Sequence, residues 1–368
     1  MAGSAAGAVS ALASLTGAGP ASAGQAADWW ARWQSGSLRG FTTANLPSLD
    51  ETTLRALQRT GANLARVGLH FRRGPAGYIL ADDDAAAVQV CLAHAERLGV
   101  GLVVLGLFDD AVEPQPLWRD AVLQRSFLRC WADFGSRFGN HRALAGIDLF
   151  NEPNPLLPDL AAAQRLWSTL AGTALAGLRA SGCASPVVFE PVRGAQASAL
   201  RGIAPLADPR VVYSIHFYTP HAITHQGVTP EWTRQIPYPA SAQWQLGAWD
   251  SELGIGPIDR QRLKQELRLV RGFAERFRVP IYIGEFGCAR WAPGGSTLRW
   301  VSDCVDLFNA EGWNWSFHSF RTWTGWDAEV DSEDPRHEAR SADARVMRRL
   351  ITAMAPGQQG SDRRGLKP

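Results

Sequence analysis

Apolar runs alternate with amphipathic stretches along most of this chain. Eight short runs, at 38–41, 62–68, 101–107, 146–150, 186–189, 211–216, 280–284 and 314–318, are apolar and rich in strand-forming residues. Continuous apolar runs of this length read as strands covered on both faces, as in a parallel sheet wrapped by helices. The intervening stretches carry helical spacing. Over 259–277, for example, Leu263, Leu267, Val270, Phe273 and Phe277 fall on one face. Further helices are expected over 82–98, 118–138, 159–180, 296–309 and 339–354, with a short one over 196–206. Ser48-Leu49-Asp50-Glu51 reads as a capping box and Gly61 as a helix stop. Three acids open the 82–98 helix and Gly99 follows it, which suits the helix dipole. About eight strand–helix units predict an α/β fold, a (β/α)8 TIM barrel, formed as a single domain over 28–355. A doubly wound open sheet is the alternative, but no GxGxxG follows the first strand. One long insertion, 219–258, follows the sixth strand and carries Trp232, Tyr238, Trp244 and Trp249. It is expected to form a wall or lid of a substrate cleft.

Composition narrows the class. A chain of 368 residues suits an elaborated barrel. The net charge of +2, without a basic block, argues against nucleic acid or an anionic membrane surface as partner. No run of about 18 apolar residues is present, so no membrane span is expected. The 15 tryptophans divide between core packing and sugar stacking, and composition does not separate the two. The five cysteines form no CxxC pair, so a zinc or thioredoxin-type site is not expected. They allow at most two disulfides, whose pairing stays open, and leave at least one free thiol. Residues 1–27 are uncharged and rich in Ala, Gly and Ser, and Ala21-Ser22-Ala23 fits a cleavage site. This segment reads as signal-like without a basic start, or as a disordered tail, and points to a secreted or periplasmic protein. The polar 356–368 segment reads as a disordered tail.

The chemistry is carried by two strand ends. Leu149-Phe150-Asn151-Glu152-Pro153 ends the fourth strand, and Ile283-Gly284-Glu285-Phe286-Gly287 ends the seventh. Barrel enzymes keep their active sites at the C-terminal ends of the strands. Glu152 and Glu285 are far apart in sequence, and only barrel closure brings them together. Two carboxyls facing one another across a sugar hydrolyse glycosidic bonds, one as nucleophile and the other as acid and then base. Arg66 interrupts the apolar second strand, where an arginine is costly unless paired. His216 and Tyr218 close the sixth strand with His-x-Tyr spacing. His216, His221 and His225 raise the possibility of a metal-dependent hydrolase. No carboxylate is interleaved with them, and no metal site is expected.

On these motifs the chain resembles glycoside hydrolase family 5 over roughly 40–326. The resemblance implies that Glu285 is the nucleophile and Glu152 the acid/base. It implies that Asn151 holds the sugar 2-hydroxyl, that Arg66 faces the nucleophile carboxylate, and that Tyr218 hydrogen-bonds it beside His216. Two departures stand out. The family has a histidine after the third strand, where this chain has Phe108-Asp109. It ends the eighth strand with a tryptophan, where this chain has His318, so that Trp323 or Trp326 would supply the stacking face. Trp291 and Trp30 are candidate platforms or core residues.

The expected protein is a monomeric retaining β-glycosidase without cofactor, acting on an oligo- or polysaccharide such as a β-linked glucan or related β-glycan. Rivals are a transglycosylase with the same residues and a non-catalytic carbohydrate-binding protein on the same scaffold.

Overall fold

The computed structural model describes residues 28–108, 116–228, 235–241, 253–254 and 256–355. The signal-like and tail segments, Asp109, and Trp232, Trp244 and Trp249 of the insertion lie outside the described residues. Eight strands form the barrel: β1 (Arg39–Thr42), β2 (Leu64–Gly74), β3 (Gly101–Phe108), β4 (Leu144–Asp148), β5 (Val187–Phe189), β6 (Val211–Phe217), β7 (Ile281–Phe286) and β8 (Asn314–His318). Neighbours in sequence pair in parallel, and β1 pairs with both β8 and β2, which closes the sheet. A short strand, Gly77–Ile79, turns back antiparallel on the end of β2.

The apolar core has two parts. The larger fills the space between strands and helices; the smaller fills the barrel floor with Leu38, Leu64, Val103, Ala145, Val188, Val212 and Tyr282. A first helix, α1 (Trp29–Gln34), plugs that floor. Its Trp33 is fully buried, and the indole N–H donates to the Ala145 carbonyl at 2.8 Å. Trp30 packs with this plug, at the end of the barrel opposite the strand C-termini, so it is not a sugar platform.

Most expected helices form with the predicted chemistry. Asp120 caps α2 (Ala121–Phe138), and Asp159 caps α3 (Leu160–Ala180). At Glu51–Arg59 the cap is Asp50 rather than Ser48: Asp50 has extended backbone and its carboxylate accepts from the Thr53 N–H at 2.7 Å. The 259–277 stretch is two abutting helices, Arg260–Glu266 and Arg268–Phe277. The short helix expected over 196–206 is reduced to a 3-10 turn at Ala197–Leu200, because Arg201 is extended and Gly202 takes left-handed backbone; a broken turn at Val192–Ala195 precedes it. Tyr238 is buried, with its hydroxyl donating to Asp303 at 2.7 Å on helix Ser296–Glu311. It anchors the insertion to the barrel's outer layer. The five cysteines are all buried and free. No helix among the described residues is long and apolar enough to cross a membrane.

Candidate active site

Strand register decides which side chains enter the barrel. Along β2, Arg66 faces inward two residues above the floor residue Leu64. In β4 a register shift opposite Leu102 and Val103 sets Asp148 on the inner face. In β7 an irregularity after Ile215–Ile283 pairs His216 with Glu285. Bulges of this kind re-aim a side chain beside a site, and here the re-aimed residue is Glu285. Two glycines of its motif make room. A Cβ on Gly284 would lie 2.5 Å from the Ser214 hydroxyl and 3.3 Å from His216 Nε2. A Cβ on Gly287 would lie 2.4 Å from the His318 carbonyl oxygen.

Arg66 is fully buried and organises the site. Its Nε donates to Asp148 at 3.0 Å and its Nη1 to Glu285 Oε1 at 2.6 Å. Its Nη2 donates to Glu190 Oε1 at 2.7 Å and to Asn151 Oδ1 at 3.2 Å. The Tyr218 hydroxyl donates to the other Glu285 oxygen, Oε2, at 2.8 Å. His318 Nδ1 lies 3.6 Å from that oxygen. His216 Nδ1 lies 2.7 Å from Glu152 Oε1 and 3.8 Å from Glu285 Oε2. Glu152 follows β4 with left-handed backbone, φ 51°, which is uncommon outside glycine and clusters at functional sites. Its N–H is held by Glu190 Oε2 at 2.7 Å.

These contacts fix the charge states. Burial would raise the Glu285 carboxyl, but the charges of His216 and Arg66 and the Tyr218 hydroxyl hold it well below the usual carboxylate range. Burial would likewise lower His216, yet the Glu190 and Glu285 carboxylates lift it well above its ordinary value. Asp148 goes the other way. Burial, then the Glu190 charge beside it, push it well above the usual carboxylate range, which favours its protonated form. His318 is lowered by burial and stays uncharged.

One set of three potential ligand atoms gathers among the described residues: Glu152, His216 and Glu285, all within 4.8 Å of one another. That spacing brings the two glutamates close to the ~5–5.5 Å of carboxyls in retaining glycosidases, and well inside the ~6.5–9.5 Å of inverting ones. His221 and His225 stack ring to ring at 4.6 Å on the rim. His225 is pushed down to about 3 by burial and by His221 and His318.

The expected residues therefore assemble, with corrections at the periphery. Glu152, Glu285, Arg66, Asn151, His216, Tyr218 and His318 share one cluster. Phe108 does not stand where the family's histidine would act. Alternation along β3 turns its ring outward, stacked on Phe71 at 4.7 Å and on Phe150 at 5.6 Å, and Leu107 takes the inward position. A row of aromatics runs from His318 to the rim. Trp326 sits edge-on to His318, with ring centres 5.6 Å apart, and Trp323 sits edge-on to Trp326 at 5.1 Å and to Trp291 at 5.7 Å. Trp323 is 46% exposed. Trp291 is half-buried and donates to the Gln226 carbonyl at 2.6 Å. Asp148 and Glu190 escaped the sequence reading. Glu190 carried the same signal as the two glutamates found, a carboxylate ending the apolar run Val187-Val188-Phe189 before a proline.

A closed barrel with two carboxylates opposed at the ends of β4 and β7 defines a (β/α)8 glycoside hydrolase. The sequence profile of the cellulase family, glycosyl hydrolase family 5, matches residues 31–330, and the chain belongs to that family of retaining enzymes. Endoglucanase C of Acetivibrio thermocellus is 22% identical over 274 residues, covering 69% of this chain and 76% of that one. Thermotoga maritima Cel5A in complex with cellobiose shares the fold with a TM-score of 0.69 at 19% identity, covering 87% of this chain and 98% of that chain. The same enzyme in complex with mannotriose gives 0.67 at 20%, covering 89% and 100%.

Proposed function

We propose that this protein cleaves a β-linked glucan or related β-glycan by double displacement, with Glu285 as nucleophile and Glu152 as acid/base. The observation that carries the residue assignment is the asymmetry of the pair. Glu285 is clamped by Arg66 and Tyr218, which favour its ionised form, while the half-exposed Glu152 side chain is hydrogen-bonded to His216 and, among the described residues, to no arginine or tyrosine. A carboxylate held ionised suits attack on the anomeric carbon. A neighbour free of that clamp suits proton donation. In the first step a Glu285 oxygen bonds to the anomeric carbon, the glycosidic C–O bond breaks, and the leaving oxygen takes a proton from Glu152. In the second, Glu152 takes a proton from water, the water oxygen bonds to the anomeric carbon, and Glu285 departs as carboxylate. Asn151, held by Arg66, is placed to meet the sugar 2-hydroxyl. The names of the relatives, an endoglucanase and an enzyme solved with cellobiose and with mannotriose, support the choice of β-glucan and β-mannan as first substrates. The test is release of sugar from β-1,4-glucan, mannan, xylan, β-1,3- and β-1,6-glucans and aryl β-glycosides, with NMR of the first-formed anomer. Retention on a β-glycan supports the reading. Inversion, or no release from any of the panel, rejects it.

Two variants probe the assignment. Glu152→Ala is expected to slow substrates with poor leaving groups about 100-fold or more beyond its effect on activated aryl glycosides, because only the former need a proton. Equal losses on both would remove Glu152 from the acid role. Trp323 offers an open indole face at the rim, suited to stacking on a sugar ring. Trp323→Ala is expected to raise KM on oligosaccharides by about 2- to 10-fold with kcat unchanged, the scale of one aromatic contact. A fall in kcat at constant KM would place Trp323 outside substrate binding.

A further inference from the structure

Glu190 takes no part in the two chemical steps above, yet its carboxylate contacts the Glu152 N–H directly, and also Arg66 and His216, which hold Glu285 and Glu152. It follows β5, is buried, and its backbone carbonyl is pinned by the Trp167 indole N–H at 2.7 Å. Its Oε2 accepts from the strained Glu152 N–H at 2.7 Å. Its Oε1 accepts from Arg66 Nη2 at 2.7 Å and lies 3.1 Å from His216 Nε2. The far side of the same imidazole, Nδ1, lies 2.7 Å from Glu152 Oε1. One histidine thus bridges two glutamates, one sealed in the barrel and one open to the cleft.

Resting on the assignment of Glu152 as acid/base, we infer that Glu190 is a positioning residue for it. Through His216, Glu190 keeps on the His216–Glu152 pair the proton that the leaving oxygen receives, and through the Glu152 N–H it aims that carboxyl at the bond to be cut. The proton balance is simple. With the Nε2–H donated to Glu190, Nδ1 and Glu152 Oε1 share a single proton. When the glycosidic oxygen takes it, a neutral imidazole is left beside the Glu152 carboxylate. The attacking water returns a proton to Glu152 in the second step, and the pair is as it began.

Arg66 Nη2 lies 3.4 Å from His216 Nε2, and Glu285 Oε2 lies 3.8 Å from Nδ1. Tyr218 and His318 approach the same Glu285 oxygen. Asp148, against Glu190, is pushed well above the usual carboxylate range by burial and then by the Glu190 charge, which favours its protonated form beside Glu190. Burial would raise Glu190 itself, but His216 and Arg66 outweigh it and keep it ionised. Glu190 is thus the anion that makes Nε2 a donor, and its loss weakens the hold of the ring on the shared proton.

The test compares wild type, Glu190→Gln, Glu190→Asp and Glu152→Ala on an activated aryl β-glycoside and on an unactivated oligosaccharide, as kcat/KM against pH. Glu190→Gln is expected to move the alkaline limb down by about one pH unit and to cost about tenfold more on the oligosaccharide than on the aryl glycoside. Glu190→Asp, which keeps the charge, recovers part of both. Adding Glu190→Gln to Glu152→Ala is expected to cost nothing further on the aryl glycoside. An unmoved limb with equal losses on both substrates, or additive losses in the double variant, overturns the inference. If Glu190→Gln does not fold, Glu190→Asp carries the same two readouts. Failure of the parent assignment is distinct: it shows as a Glu152→Ala variant without any leaving-group dependence.

Discussion

Glu285→Ala is expected to abolish hydrolysis, with kcat falling by roughly 10⁴-fold or more, as when the nucleophile of a concerted catalytic group is removed. Among the described residues no neighbouring carboxylate is placed to substitute. Glu152 stands across the cleft on the acid side, and Asp148 and Glu190 are buried beneath Arg66, out of reach of a sugar. The truncation also opens a space against Arg66 and the Tyr218 hydroxyl, two donors left facing the anomeric carbon. A small anion fits the chemistry of that space. Azide is expected to restore turnover of an activated aryl β-glycoside, because it attacks from the side Glu285 occupied and no proton is then required. Its nitrogen bonds to the anomeric carbon as the aryl oxide leaves, in one displacement, so the product is an α-glycosyl azide. NMR of that product is the decisive measurement. A β-azide would instead point to displacement on the opposite face and to Glu152 as the group rescued. Wild-type activity in Glu285→Ala would remove the residue from the reaction altogether.

Most of this arrangement was legible because charge inside an apolar run is rare and therefore informative. Arg66, Glu152 and Glu285 each interrupt or end such a run, and in the structure all three meet. Glu190 ended a run in the same way and was passed over, since its partners are an arginine, a histidine and a backbone N–H from three other strands. Nothing local in the sequence brings those together. Asp148 was hidden for a related reason: the register shift in β4 decides whether it faces the barrel or the helices, and a run of apolar neighbours does not reveal a bulge. Of the two positions named in place of the family's histidine, Phe108 turns outward because alternation sends Leu107 inward, and Asp109 lies outside the described residues. Helix ends were read to within three residues where an aspartate caps them, at 120 and 159. The reading slipped at Ser48, where Asp50 competed for the same role, and at 196–206, where extended Arg201 and left-handed Gly202 stop a helix that the pattern alone allowed.

Arg66→Met is expected to be the most destabilising single change in the site. Arg66 supplies a fully buried guanidinium between Asp148, Glu190 and Glu285, and removing one partner of a buried charge cluster costs about 3–5 kcal/mol because the rest is left uncompensated. Against a typical stability of about 5–15 kcal/mol, that is a large fraction. The loss has a signature that mere packing damage lacks. Glu190 and Glu285 are held below the ordinary carboxylate range in the wild type. A depressed folded value contributes stability that is present above the unfolded pKa, near ~4.3 for glutamate, and is lost as pH falls through the folded value. Without Arg66 that contribution weakens, and burial favours protonating the same carboxyls. The difference between wild type and Arg66→Met is therefore largest near neutral pH and shrinks as pH falls below ~4. Urea unfolding of both proteins at pH 7 and at pH 3.5 measures it. Arg66→Lys is expected to fall between them, since one ammonium cannot reach all the acceptors the guanidinium fork serves. A penalty that stays constant with pH would assign the loss to the cavity left by the side chain. A penalty under about 1 kcal/mol would mean that the Glu190 and Glu285 carboxylates find their neutralisation elsewhere, with His216 as the remaining cation at the cluster.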